Sequence, residues 1–170
     1  MVDLLGLKRN ALSLGLCGEY KDLWNNCKSK KELVNLALDA NGIEFMADSI
    51  AFGWGLSAEY LQREFSEYAN ENYTAIERGY TSKMFLNVNN GKIKPCSTLS
   101  LIVGCNCTIE LSEGFVGKIY VCGGSDVNIV GCVESECELY VYGLDNKVSV
   151  IKNDAGINRT DVQTSQWRTA

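Results

Sequence analysis

Two hydrophobic periods divide the chain. Up to about residue 80 apolar positions recur every three or four residues, the period of a helix with one buried face. From residue 81 they alternate with polar positions, the period of a strand.

In the helical part Ser29-Lys30-Lys31-Glu32 reads as a capping box: the Ser29 hydroxyl accepts from the Glu32 N–H while the Glu32 carboxylate reaches back. Leu33, Leu36, Ala37 and Ala40 then share a face, and Asn41-Gly42 is expected to stop the helix through the left-handed conformation. A shorter helix is predicted over 19–26, with Tyr20, Leu23 and Trp24 inward. A third covers 43–52, with Ile43, Met46, Ala47 and Ile50 on one face and Gly53-Trp54-Gly55 as its stop. Ser57 caps a fourth over 58–70, striped by Leu61, Phe65 and Tyr68.

The alternating part repeats itself. Met84, Leu86 and Val88 precede Asn89-Asn90-Gly91, a dipeptide type that signals a tight hairpin, and Ile93 follows. Three further units of strand, glycine-containing turn and strand follow, with Leu101, Ile119 and Leu139 at equivalent points. A unit near 20 residues predicts a short β-solenoid; an antiparallel hairpin stack or sandwich is the alternative, because the turns are short enough for either. The expected class is therefore α+β: a small helical bundle over 1–80, a repeated-strand domain over 81–152, and a polar tail over 153–170 whose large apolar residue, Trp167, is a candidate anchor. The helical part could cap one open end of the solenoid, leaving the other for self-association, a partner or the tail.

Composition adds exclusions. The net charge is −5 over 170 residues, which disfavours diffuse nucleic-acid binding and suits a basic protein partner. No apolar run approaches the roughly 20 residues of a membrane-spanning helix, and the first ten residues make a poor secretory signal. Eight cysteines without such a signal point to free thiols in a reducing, cytoplasmic setting. Histidine is absent, so the usual general base, the Ser-His and Cys-His pairs and the commonest metal ligand are absent too. No phosphate-loop or dinucleotide fingerprint occurs. Cys105, Cys107, Cys122 and Cys132 are the candidates for a structural zinc, although no C-x-x-C knuckle is present. Glu110 with Glu113, or Glu134, Glu136 and Glu138, could pair as catalytic carboxylates, but solvated alternation on an outer strand face explains them more simply.

Two resemblances add context. Residues 49–65 carry Ile50-Ala51, a Gly55-Leu56-Ser57 turn, Tyr60-Leu61 and Arg63-x-Phe65, and this stretch resembles the helix-turn-helix of AraC-type regulators. That resemblance implies a DNA-reading helix within 49–69, yet residues 41–72 hold one Arg against six acids, a poor match to phosphate. Across 16–150, the stretches Leu16-Cys17-Gly18-Glu19-Tyr20, Lys28-Ser29-Lys30-Lys31-Glu32-Leu33 and Ile50-Ala51-Phe52-Gly53-Trp54-Gly55-Leu56-Ser57 resemble short accessory proteins of phages and mobile elements. This implies a bacterial cytosol or a virion as the setting, and no activity.

The expectation is a non-enzymatic interaction or structural accessory protein without cofactor, an inhibitor of a host protein being one form. Trp54, Tyr60, Arg63 and Trp167 are the candidate partner-binding residues. A DNA-binding regulator and a small zinc protein are the alternatives.

Overall fold

In the computed structural model the alternating segments wind into a parallel β-solenoid of about four turns, described together with the helices over residues 18–52, 56–77 and 79–165. Each turn contributes one strand to each of two sheets. Sheet A holds β1 (Ala75–Glu77), β2 (Tyr80–Leu86), β4 (Leu99–Val103), β6 (Val116–Cys122), β8 (Glu136–Tyr142) and β10 (Gly156–Val162), in that order. Sheet B holds β3 (Asn89–Ile93), β5 (Asn106–Glu110), β7 (Asp126–Val130) and β9 (Lys147–Ile151). All pairings are parallel except β1 with β2, which is antiparallel and covers that edge of sheet A. The solenoid expectation holds, and the antiparallel alternative does not.

The repeat is a physical register. Ile119 lies beside Leu139, and Cys107 beside Val127, each 20 residues apart. Every rung places the same inward position over the last, so Phe85, Ile102, Val121 and Val141 form one interior column. Ile93, Ile109 and Ile129 of sheet B pack into the same interior core. Each fully buried Ile or Leu of such a stack contributes about 1.5–3 kcal/mol.

The corners repeat as well. Asn87, Gly104, Gly123 and Gly143 each follow a strand of sheet A with a positive φ. At Gly104 and Gly143 a side chain would also meet Ala58 Cβ at 3.2 Å and Ala51 Cβ at 3.3 Å, so glycine there lets helices approach. Side chains then lace one corner to the next. The Cys105 N–H donates to Ser125 Oγ (3.1 Å), whose hydroxyl donates to the Cys122 carbonyl (2.7 Å). The Ser125 N–H donates in turn to Asn146 Oδ1 (2.9 Å), and Asn146 Nδ2 donates to the Tyr142 carbonyl (2.8 Å). Buried backbone groups that a turn would orphan are thereby paired.

Four helices precede the strands: α1 (Gly18–Asn26), α2 (Lys30–Ala37), α3 (Gly42–Ala51) and α4 (Ala58–Phe65). They lie along the outer face of sheet A rather than over the solenoid end: α3 packs on β6 and β8, α4 on β2, and α2 on β1 and α3. Val34, Leu38, Ile43, Met46, Ala47 and Leu61 share one core with Met84, Leu101, Val103, Tyr120 and Tyr142 of that face. The tail returns to this side, where Ser165 Oγ donates to Asp48 Oδ1 at 2.6 Å. None of the described helices is long and apolar enough to cross a membrane.

Several local expectations are confirmed and others corrected. Ser29 Oγ accepts from the Glu32 N–H (3.2 Å) and Ser57 Oγ from the Tyr60 N–H (3.1 Å), as expected of caps. The Glu32 carboxylate accepts from the Lys28 N–H. Gly42 does not terminate α2. It opens α3, and a side chain there would strike the Leu36 carbonyl oxygen at 2.3 Å, so close approach selects glycine. Leu23 faces solvent, 48% exposed, and Ala40 is exposed too. The fourth helix stops at Phe65 and gives way to two 3₁₀ turns, Ser66–Tyr68 and Asn70–Asn72. Asn89-Asn90-Gly91 is no hairpin. It lies within β3, which runs parallel beside β5. Leu101 pairs with Tyr120 and not with Ile119, so those two side chains lie on opposite faces of sheet A. The proposed stop at Gly53-Trp54-Gly55 lies outside the described residues.

Candidate functional site

No described helix packs on sheet B, whose outer face exposes Asn106, Asp126 and Asn128 to solvent. Strand alternation puts Cys107, Ile109, Val127 and Ile129 inward and leaves Asn106, Thr108, Asp126 and Asn128 outward. Parallel register turns these outward residues into columns. Asn89, Asn106, Asp126 and Lys147 form one; Lys92, Thr108, Asn128 and Ser149 form the next. Neighbouring strands stand about 4.8 Å apart, so each column is a row of amide, hydroxyl and charged groups at fixed intervals. Ser149 Oγ donates to Asn128 Oδ1 within the second column. Lys92 and Lys94 both reach Glu110, at 3.4 and 3.9 Å. These exposed pairs are worth little in stability, and the face carries both signs of charge.

The flatness breaks at one point. β3 carries an extra residue relative to β5: Asn89 pairs with Asn106, but Lys92 pairs with Thr108. Asn90 and Gly91 therefore stand opposite Cys107 alone, and this bulge borders an open depression of about 500 Å³ lined by Asn90, Lys92, Asn106, Cys107, Thr108 and Asn128.

Just beneath it lie two of the four candidate zinc ligands. Cys105 and Cys107 are 1% and 7% exposed, and the Cys105 thiol donates to the carbonyl oxygens of Phe85 and Val103, each at 3.5 Å. The neighbouring Cys107 side chain holds the Cys105 thiol below its ordinary range; burial opposes the shift, and backbone hydrogen bonds at Val88, Val103 and Asn87 assist it. The Cys105 side chain in turn pushes the Cys107 thiol upward, and burial adds to it. Cys122 belongs to the core between sheet A and the helices, with its thiol on the Ile102 carbonyl (3.6 Å), and burial pushes its thiol up. Cys132 sits at the opposite corner, half-buried beside Ser135. The structure thus brings together Cys105 and Cys107 but not the set of four, and among the described residues no three Cys, Asp or Glu side chains gather as a ligand cluster.

The candidate partner-binding residues are divided likewise. Tyr60 and Arg63 are neighbours on α4. The Arg63 guanidinium lies over the Tyr60 ring, 5.5 Å from its centre, and its Nε meets Glu64 Oε1 at 3.2 Å. Burial raises the Tyr60 phenol, Glu64 adds to this and Arg63 opposes it. Trp54 and Trp167 lie outside the described residues. The polar columns of sheet B were missed because they follow from register, not from residue type. The signal available was the outward triplet x-Φ-x, recurring as Asn106-Cys107-Thr108, Asp126-Val127-Asn128 and Lys147-Val148-Ser149. Comparison with protein-family models, with curated proteins and with solved structures returns no match.

Proposed function

We propose that the chain is a non-enzymatic interaction protein that docks a protein partner on the outer face of sheet B. The observation that carries this reading is the asymmetry of the two sheets. Helices pack on the outer face of sheet A, while sheet B presents Asn106, Asp126, Lys147 and Thr108, Asn128, Ser149 in register columns that no described helix covers. A surface fixed by backbone register loses little conformational entropy on binding, which favours recognition of a folded partner. The net charge of −5 favours a basic one. The resemblance to phage and mobile-element accessory proteins suits such a role in a bacterial cytosol or on a virion.

The test is capture of partners by the full chain from a lysate of its source cells, beside light scattering of the purified protein. A stoichiometric partner, or a second copy, is expected on the wild type. It is lost on Thr108→Arg/Asn128→Arg and kept on Ile76→Arg, a change at an exposed residue of β1. Binding that survives the double substitution, or a monomer without partner, overturns the reading. Salt-dependent duplex binding abolished by Arg63→Ala would replace it with a DNA-binding one.

A further inference from the structure

We propose that the outer face of sheet A carries a slot for an arginine side chain of a basic protein partner, formed by the Tyr140 ring, the Glu138 carboxylate and Thr160. The slot lies on the other sheet from the polar columns and stands whether or not those columns dock a partner. Tyr120 and Tyr140 hold the same outward position on β6 and β8, and their rings stack with centroids 5.1 Å apart and planes 15° apart. Tyr120 is buried under the helices and covers one face of the Tyr140 ring. The next rung puts Thr160 in that register position. Thr160 is exposed and too short to cover a phenol ring, so the stack stops at Tyr140 and leaves its β10-side face open.

Charge selects a cation. The Tyr140 hydroxyl donates to Glu138 Oε2 at 3.1 Å, and Lys118 Nζ approaches the same oxygen at 3.5 Å. Among the described residues Glu138 Oε1 has no hydrogen-bond or ion-pair partner. Lys118 stands on the β6 side of Glu138, and uncharged Asn158 on the β10 side, where the ring face is open. Glu136 shares this outer face and is exposed, so two carboxylates of β8 meet one lysine. Arg159 points to the other side of the sheet, where Asp161 holds it at 3.0 Å. Burial raises the Tyr140 phenol most, and its bond to Glu138 and the negative charge of Glu138 and Glu44 add to the shift, which fits a negative potential at the slot.

Shape then selects arginine. Neighbouring strands stand about 4.8 Å apart, so a flat cation lying over Thr160 sits at stacking distance from Tyr140. A cation within about 6 Å of a ring centroid is attracted by the negative face of the ring. The guanidinium is planar, stacks on aromatic rings and carries forked N–H donors that Glu138 Oε1 can accept, whereas an ammonium is compact and strongly hydrated. The net charge of −5 favours a basic protein as its carrier. β10 is the last strand of sheet A, so a partner segment reaches the slot from the open end of the solenoid.

The test is an NMR titration of the full-length protein, with isotope-labelled tyrosine rings and at low ionic strength, by the peptide acetyl-Gly-Arg-Gly-amide and by its lysine and citrulline counterparts. The Tyr140 ring signals are identified by their loss in Tyr140→Phe. Saturable shifts of those signals are expected with the arginine peptide, smaller ones with lysine, and none with citrulline, which keeps the shape and lacks the charge. Glu138→Gln weakens arginine binding about fivefold. Thr160→Tyr abolishes it by filling the slot, at an exposed position. If circular dichroism shows either variant unfolded, the wild-type comparison of arginine with citrulline decides. Thr108→Arg/Asn128→Arg leaves the titration unchanged, which separates this slot from the face of sheet B. No shift at Tyr140, equal shifts with citrulline, or binding that survives a folded Thr160→Tyr overturns the slot.

Discussion

Arg159 Nη1 donates to the carbonyl oxygen of Val148 at 2.9 Å, from the last strand of sheet A across to the last strand of sheet B. Arg159 stands in the interior column of Ser100, Ile119 and Leu139, and Asp161 in that of Ile102, Val121 and Val141. Apart from Ser100 the two columns are apolar through their middle, and they end on a charged pair, Nη2 to Oδ1 at 3.0 Å. At the other end the first column begins with Lys83, whose ammonium donates to the Tyr73 carbonyl (3.3 Å) and Thr74 Oγ1 (3.2 Å). Inward charge at the last rung is a known way to keep a strand edge from adding another chain.

Arg159→Leu/Asp161→Val extends both apolar columns to the open end. The variant is expected to assemble in a concentration-dependent way by multi-angle light scattering, beyond the size of the wild type. Its unfolding free energy stays within about 1 kcal/mol, since the pair removed is exposed. An unchanged mass would show that these residues do not guard the edge.

Ser125→Ala removes the hydroxyl that receives the Cys105 N–H and feeds the Cys122 carbonyl. A buried donor left without a partner costs about 1–3 kcal/mol. Urea unfolding is expected to show that loss, whereas Ser112→Ala, at an exposed turn position, shows little.

Glu134 adopts φ 64°, at the place in its rung that Gly114 and Asp154 occupy in the neighbouring ones. A left-handed non-glycine residue carries about 1–2 kcal/mol of strain. Glu134→Gly is therefore expected to raise the unfolding midpoint, and Glu134→Val to lower it. Identical midpoints would show that the turn relaxes.

Burial pushes the Cys137 thiol up to about 12. Its unfolded counterpart ionises near 8.5. The folded state thus keeps a proton that the unfolded state gives up. The associated stability is present below about pH 8.5 and is lost as pH rises towards 12, at about 1.4 kcal/mol per unit for one thiol. Cys137→Ala is expected to flatten the alkaline limb of a stability–pH curve measured by urea unfolding. An unchanged slope would contradict the assignment.

What the sequence shows of this fold depends on whether a strand is buried on one face or two. In β5 and β7 one face meets solvent, so Cys107, Ile109, Val127 and Ile129 alternate with polar residues and the strands are plain. In β4 both faces are buried, the outer one under the helices, and Leu99–Val103 offers no alternation. Register cannot be read from such a run, which is why Leu101 aligns with Ile119 by sequence but with Tyr120 in space. The one-residue slip exchanges the two faces. Asn89-Asn90-Gly91 mimics a hairpin because a bulge and a tight turn ask for the same residues. Caps at Ser29 and Ser57 are legible because they are local. The uncovered columns of sheet B depend on where the helices settle, and that is not local.

The most direct test of the uncovered face is a hydrogen-exchange footprint of the chain with its captured partner against the chain alone. Protection is expected across 106–108, 126–128 and 147–149, with α3 and α4 unchanged. Protection confined to the helices, with those three strands exchanging as in the free chain, would contradict the account.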